Sequence, residues 1–283
     1  MKVFSLVSEL DQIHVQYPER KIAFIPTMGA LHEGHLSLIE SAQAEGCVTV
    51  VSIFVNPLQF NNPDDLAKYP RTLEEDLQKL TLQGVDVVFT PTAEEMYPSD
   101  VEDIDVDLGA LDSRFEGACR PGHFHGVVQV VYRLFKFVRP HIVFFGEKDL
   151  QQCLVIEQLV QQIFPAIDMR RVATKRETSG LAMSSRNVRL SFQGLKTAAS
   201  LHQSLNRVVL NRKDFCSVID EEKAHLEKLG FEIEYLNCVS LPFLDALPCD
   251  FFQADKPEIR PNNFAVVVAA SIEGVRLIDN QVF

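Results

Sequence analysis

The segment Val48–Val55, VTVVSIFV, is apolar at nearly every position. A strand with one wet face alternates, so a continuous run like this belongs to a strand covered on both faces, as in a parallel sheet flanked by helices. The sequence around it repeats that arrangement. Lys21–Ile25, Val85–Phe89, His141–Phe145 and Ile167–Val172 predict further strands. Glu33–Gly46, Leu73–Gln83, Val127–Val138 and Leu150–Ile163 predict helices, the first carrying Leu36, Ile39 and Ala42 at helical spacing and the second ending at Gly84, a C-cap. Alternating β and α elements predict an α/β fold with a doubly wound parallel sheet. A first strand and helix are expected within the N-terminal stretch as well.

The rhythm changes after Thr174. Helices are predicted over Leu195–Val209 and Asp214–Leu229, followed by strands over Phe231–Val239, Phe264–Ile272 and Val275–Ile278. That order predicts a second, smaller α+β domain, with the division at residues 1–174 and 175–283. The acidic stretch Glu94–Asp107 is expected to form a solvated surface strand and loop.

Composition narrows the function. Over 283 residues, 46% hydrophobic and 23% charged residues fit a globular enzyme, and no apolar run approaches the roughly 18 residues of a membrane span. Ser5, Ser8, Glu9 and Asp11 interrupt the N-terminal apolar stretch, so a mature cytosolic start is expected. A net charge of −12 argues against extended contact with nucleic acid or anionic membrane, although a local basic cluster can still bind a phosphate ligand. Cys47, Cys119, Cys153, Cys216, Cys238 and Cys249 are scattered without a CxxC. That argues against structural zinc and a disulfide framework and fits a reducing compartment.

Ligands of open α/β sheets bind beyond the C-terminal strand ends. Three predicted strands run into polar segments there, TMGALHEGH, VNPLQF and GEKDLQQ, which are expected to converge. In the first, His32 and His35 flank Gly34 at a helix start, where free backbone N–H groups and the helix dipole favour an anion. The HxxH spacing is not that of a zinc protease. Phosphate binding by both imidazoles competes with a plainer role, His32 as a cap and His35 as a surface residue. In the third, Lys148 can pair with phosphate, Asp149 can accept from ribose hydroxyls and Gln152 can read a polar ligand; an ordinary acidic helix cap is the alternative. Ser184, Ser185 and Arg186 suit a mobile phosphate clamp, or simply a hydroxyl-rich loop. Arg120–Gly126, RPGHFHG, is expected to be a flexible loop, and Asn56 and Gln59 suit hydroxyl and carboxylate recognition. Cys153 falls inside a helix and is expected to pack there. No covalent enzyme intermediate is favoured.

In order along the chain, PTMGALHEGH, FVNPLQF, YPRT, EGACRPGHFHGV, FGEKDLQQ, GLAMSSRN and RLIDN closely resemble the pantothenate synthetase family, of the HxGH nucleotidyltransferase-like group. The resemblance implies a Rossmann-like first domain, a smaller second domain closing over ATP, a homodimer, Mg²⁺ and a pantoyl-adenylate intermediate on the way from pantoate and β-alanine. It implies an ATP site at Met28, Gly29, Ala30, Leu31, His32, Glu33, Gly34, His35, Gly146, Glu147, Lys148, Asp149, Lys175, Met183, Ser184, Ser185 and Arg186. His35, His32, Lys148 and Arg186 would be catalytic. Gln59 and Gln152 would hold pantoate, Gln59 also lying near β-alanine, and Arg120 and His123 would shape the substrate end, where Asn56 is expected to bind substrate from its own place after the strand. Three positions depart from the family pattern: Leu58 in place of Thr, Ser179 in place of an acidic residue, and Lys175 where an apolar residue is common. These bear on affinity rather than on the matched catalytic positions. Two other functions compete, a nucleotidyltransferase acting on a phosphorylated acceptor and a catalytically silent nucleotide-binding protein.

Overall fold

The computed structural model describes residues 1–61, 63–98, 103–253, 260 and 262–283. The chain divides into two compact units, Met1–Glu147 with Gln152–Ala173, and Lys148–Gln151 with Thr174–Phe283. The short segment Lys148–Gln151 therefore groups with the later part of the chain, although the residues on both sides of it belong to the first unit.

The first unit is built on six parallel strands: β1 (Lys2–Phe4), β2 (Ile22–Thr27), β3 (Val48–Ile53), β4 (Val87–Phe89), β5 (Ile142–Gly146) and β6 (Asp168–Val172). Their order is β1-β4-β3-β2-β5-β6. Val48–Val51 are all fully buried or nearly so, because both faces of the sheet are covered. On one face the helix Glu33–Ala44 sets Leu38, Ile39 and Ala42 against Ala23, Ile25, Val51 and Val88. On the other, Phe135 of the helix His123–Val138 meets Phe24 and Phe145 edge-on, at centroid distances of 6.3 and 6.5 Å. Burying aromatic rings of this size in T-shaped pairs adds about 0.5–1.5 kcal/mol per pair beyond the area they remove from water.

From β2 the chain steps to β3 and β4 on one side, and later places β5 on the other. The switch point is therefore between β2 and β5, where ligands of open α/β sheets bind. The ladders sharpen this. β2 and β3 pair continuously from Ile22↔Val48 to Thr27↔Ile53, whereas β2 and β5 pair at Ala23↔Ile142 and Phe24↔Val143. The β2–β5 ladder thus stops three residues before Thr27, and the sheet opens at its C-terminal edge.

The second unit carries an antiparallel sheet, β7 (Glu232–Ser240), β8 (Asp245–Ala246), β9 (Phe264–Ile272) and β10 (Val275–Val282), in the order β10-β9-β7-β8. Its core draws Leu201, Leu205 and Val208 from the helix Ser200–Leu210, and Phe215, Ile219 and Leu226 from Phe215–Lys228, against Leu236, Val266 and Val268 of the strands. The two helices are also joined by a buried carboxylate: Ser204 Oγ donates to Glu222 Oε2 at 2.6 Å, and the Arg207 guanidinium donates to both Glu222 oxygens. Burial pushes the Glu222 carboxyl up, but these hydrogen bonds and the Arg207 charge outweigh burial and hold it below the ordinary carboxylate value.

Several expectations change. RPGHFHG is not a loop throughout, since the helix expected from Val127 already begins at His123. The single helix expected over Leu195–Val209 is two, Phe192–Ala198 and Ser200–Leu210. Within Glu94–Asp107, residues 99–102 lie outside those described, so the expected strand is not tested there; among the described residues the segment forms the end of a short helix, Ala93–Met96, and irregular chain. Cys216 and Cys249 form a disulfide with Cα atoms 5.5 Å apart. Their separation of 33 residues, one in a helix and one after β8, offered no spacing signal for it.

Candidate active site

At the open edge of the first unit, the loop after β2 is shaped by hydrogen bonds to its own backbone. Gly29 and Ala30 both take left-handed dihedrals, with φ of 81° and 50°. Gly29 leaves no room for a side chain: a Cβ there would lie 3.1 Å from both Asp76 Oδ2 and Ile53 Cγ2. The Asp76 carboxylate, fully buried, accepts from Ala30 N and Leu31 N at 2.8 Å each and from Thr72 Oγ1 at 3.2 Å. Lys79 Nζ donates to Leu31 O at 2.8 Å, and Gly29 N donates to Thr27 Oγ1.

The two histidines follow. Gly34 N donates to His32 Nδ1 at 3.1 Å, and His32 N donates to His35 Nδ1 at 3.3 Å. Each Nδ1 therefore accepts, so the neutral ring of each carries its proton on Nε2. The rings lie side by side, 4.1 Å between centroids. His35 N and Leu36 N both donate to His32 O. The backbone donors expected to be free for an anion are thus largely engaged by the protein, because a loop this tight satisfies its own first helical turn. The turn thus sets two imidazoles side by side at a helix N-terminus, each with its Nδ1 turned to a backbone N–H. Glu33 beside them is exposed, and Met28 and Gly34 are half-buried.

The segment after β3 is joined to the same loop. Gln59 is buried; its Nε2 donates to Met28 Sδ at 3.0 Å, and its Oε1 accepts from Asn56 Nδ2 at 3.1 Å. Asn56 is engaged on every side, donating also to Gly126 O and accepting from Leu58 N and from Tyr97 Oη at 2.8 Å. Burial pushes the Tyr97 phenol well above its ordinary value, so it remains a donor at every working pH. His123 Nδ1 lies 2.8 Å from Gln59 O, and Arg120 Nη1 lies 3.0 Å from His123 Nε2. A carbonyl only accepts, so His123 is protonated at Nδ1 and its Nε2 receives the Arg120 proton. Gly126 permits this packing: a Cβ there would fall 2.3 Å from Leu58 O. Gln152 is half-buried in the helix after β5, and Cys153 beside it is fully buried with Sγ 3.4 Å from Gly146 O. Gly146 ends β5 on the same edge as Thr27 and Ile53, and Glu147 follows it.

The second unit holds the other residues singled out. Lys148 Nζ lies 3.4 Å from Asp149 Oδ1, and Asn280 Nδ2 donates to Lys148 O at 2.9 Å. Arg176 and Ala182 form a bridge across a tight hairpin, and beyond it Met183 N donates to Lys175 O at 3.0 Å. Lys175 is itself exposed. Ser184, Ser185 and Arg186 follow, half-buried, with Arg186 N donating to Ser184 Oγ at 3.3 Å. Arg176 pairs through both guanidinium nitrogens with buried Asp279, at 2.6 and 3.0 Å. Beside that pair, burial and then the Arg176 charge hold the His202 imidazole below its ordinary value, opposed by Asp279.

The structure brings Met28, Asn56, Gln59, Arg120 and His123 into one hydrogen-bonded set and pairs His32 with His35. Sequence reasoning missed Asp76, Tyr97 and the Arg176–Asp279 pair. Asp76 left a signal, since it lies four residues before Leu80 and one before Leu77 on the apolar stripe of the helix Leu73–Leu82. A carboxylate on a buried stripe calls for partners.

The family described as pantoate–β-alanine ligase matches residues 2–282. A pantothenate synthetase of Cytophaga hutchinsonii is 43% identical over 286 residues, covering 98% of each chain. Another from Vibrio parahaemolyticus is 43% identical over 93% of this chain and 85% of its own. Among solved structures, the pantothenate synthetase of Thermus thermophilus superimposes with a TM-score of 0.88 at 38% identity, over 99% of both chains. The pantoate–β-alanine ligase of Francisella tularensis, complexed with β,γ-ATP and β-alanine, gives a TM-score of 0.81 at 34% identity, over 100% of this chain and 97% of that one. With a family match over almost its whole length and relatives well above 30% identity, the chain belongs to the pantoate–β-alanine ligase family.

Proposed function

We propose that the protein condenses pantoate with β-alanine to pantothenate through a pantoyl adenylate, converting ATP to AMP and pyrophosphate. The observation that carries this is Gln59, a buried amide at the open sheet edge whose Nε2 is spent on the Met28 thioether. Sulfur is a weak acceptor, so a hydroxyl or carboxylate oxygen of pantoate is the better partner and displaces it. Asn56 then fixes the Gln59 amide orientation without touching substrate, because its own groups are engaged. Gln152 is assigned to the same substrate, and the Arg120–His123 pair holds the Gln59 backbone.

In the first step a pantoate carboxylate oxygen attacks the α-phosphorus of ATP, and the bond to the bridging oxygen of pyrophosphate breaks. Charge grows on the departing pyrophosphate. The Nε2–H groups of His32 and His35, the Lys148 ammonium, the Ser184 and Ser185 hydroxyls and the Arg186 guanidinium are assigned to it. Met28–His35, Gly146–Asp149, Lys175 and Met183–Arg186 are the proposed ATP contacts, Lys175 through its backbone. In the second step the β-alanine amine attacks the acyl carbon, AMP leaves with the C–O bond electrons, and the amine proton passes to solvent. Among the described residues no three His, Cys, Asp or Glu side chains cluster as a metal site. Because Mg²⁺ keeps much of its water and binds substrate phosphates readily, it is proposed to enter as the MgATP complex.

The protein is further proposed to be a cytoplasmic homodimer whose two domains, 1–174 and 175–283, divide pantoate and ATP binding from closure over ATP. Sedimentation at micromolar concentration would return twice the chain mass if the dimer is right. The decisive assay for the reaction is AMP formation from ATP that requires both pantoate and β-alanine, with pantoate-dependent exchange of labelled pyrophosphate into ATP. Pyrophosphate release with a phosphorylated acceptor in place of pantoate, the adenylyl group staying joined to the acceptor and no AMP set free, would favour a nucleotidyltransferase, and ATP binding without turnover a silent relative.

A further inference from the structure

The terminal motif RLIDN has no part in the reaction as assigned above. Its last two residues, Asp279 and Asn280, lie buried near the end of β10. Neighbours on a strand point to opposite faces, and here each grips a different segment. Asn280 Nδ2 donates to the backbone oxygen of Lys148 at 2.9 Å. Asp279 accepts both nitrogens of Arg176, whose guanidinium also donates to Gly180 O at 3.2 Å and to Asn280 O at 3.2 Å. Asp279 Oδ1 accepts from Asn280 N at 2.8 Å, which ties the two grips together. Arg176 and Gly180 belong to the hairpin that leads, through the Arg176↔Ala182 bridge, into Met183–Arg186. Two segments far apart in sequence, one beginning at Lys148 and one ending at Arg186, are therefore fastened to two consecutive residues of one strand.

We propose that Asp279 and Asn280 are positioning residues that fix the Lys148 backbone and the hairpin before Met183–Arg186 in one frame, so that both sets of cations meet the pyrophosphate together. This rests on the assignment of Lys148 and Arg186 to pyrophosphate. Lys148 lies in a short segment that groups with the second unit although its chain neighbours on both sides belong to the first, and the Asn280 amide is one group that ties its backbone there. A bidentate Arg–carboxylate pair with buried oxygens supplies the rigidity, and the amide-to-carbonyl bond supplies the registration.

The experiment is the Asn280→Ala variant of the full chain, measured in both half-reactions. Displacing a catalytic group by about 1 Å costs on the order of 10²-fold, so pantoate-dependent pyrophosphate exchange is expected to fall about 10- to 100-fold. Turnover of preformed pantoyl adenylate with β-alanine, which does not use the pyrophosphate contacts, is expected to change less than about threefold. In a Lys148→Ala background the same substitution is expected to add almost nothing, because the group it positions is gone. An equal loss in both half-reactions, or a full additional loss on top of Lys148→Ala, overturns the proposal. If Asn280→Ala does not fold, Asn280→Asp keeps the shape and removes the donor; near-normal exchange in that variant overturns it as well. If the wild type itself shows no pantoate-dependent exchange, it is the assigned reaction that fails.

Discussion

The two halves of the candidate machinery are held by different means. In the first unit, Gln59, Asn56 and His123 are buried and lock one another through side-chain hydrogen bonds, on an edge where three parallel strands end. In the second, Lys148, Ser184, Ser185 and Arg186 are half-buried, and the stiff parts behind them, Arg176, Asp279 and Asn280, reach them through backbone atoms. A buried site tolerates little change in the residues themselves. A half-buried site resting on a distant strand is sensitive to residues that never meet substrate.

The charged groups of each half are where substitution should cost most. His35→Ala and Lys148→Ala are each expected to cut turnover about 10²–10³-fold with folding intact; near wild-type rates in both, checked by circular dichroism, would sink the assignment. Asp76→Ala tests the loop that carries the histidines. It strips the acceptor from Ala30 N and Leu31 N, so a loss of about 1–3 kcal/mol per orphaned donor is expected in urea melts. A smaller effect is expected from Asn56→Ala. The Gln59 amide loses its orienting bond, so the pantoate KM should rise by about tenfold while the ATP KM stays put; equal rises in both would mean general loosening.

The weakest effect is on pH and belongs to the second unit. His202 and Glu222 both have folded-state pKa values below ordinary, so the unfolded chain binds more protons and stability is lost as pH falls. The loss should begin below the ordinary imidazole value of 6.5 through His202 and deepen below the ordinary carboxylate value of 4.5 through Glu222. His202→Gln should flatten the first part of a melting-temperature profile, and an unchanged profile would remove His202 from this account.

The same contrast explains what the sequence revealed. The parallel sheet was legible because double burial writes itself as unbroken apolar runs such as Val48–Val51, and the sheet edge followed from where those runs stop. His32, His35 and Gln59 were visible as polar residues placed immediately after such runs. Asp76 and Asp279 were harder to see, since a carboxylate that serves a backbone N–H or an arginine many residues away has no local spacing. The helix start at His123 was hidden by Pro121 and Gly122, which read as loop, although Gly122 is the left-handed residue that precedes the first turn. The Cys216–Cys249 pair depends wholly on how the second unit folds.

The contact between Gln59 Nε2 and Met28 Sδ also exposes the site to chemical damage. Conversion of Met28 to its sulfoxide puts a strongly polar S–O group where a soft sulfur had been. That oxygen accepts a hydrogen bond far better than the thioether, so the Gln59 amide would stay latched to its own loop rather than release to an incoming acid. Peroxide-treated protein should then lose pantoate affinity before it loses its fold, and methionine sulfoxide reductase should restore it.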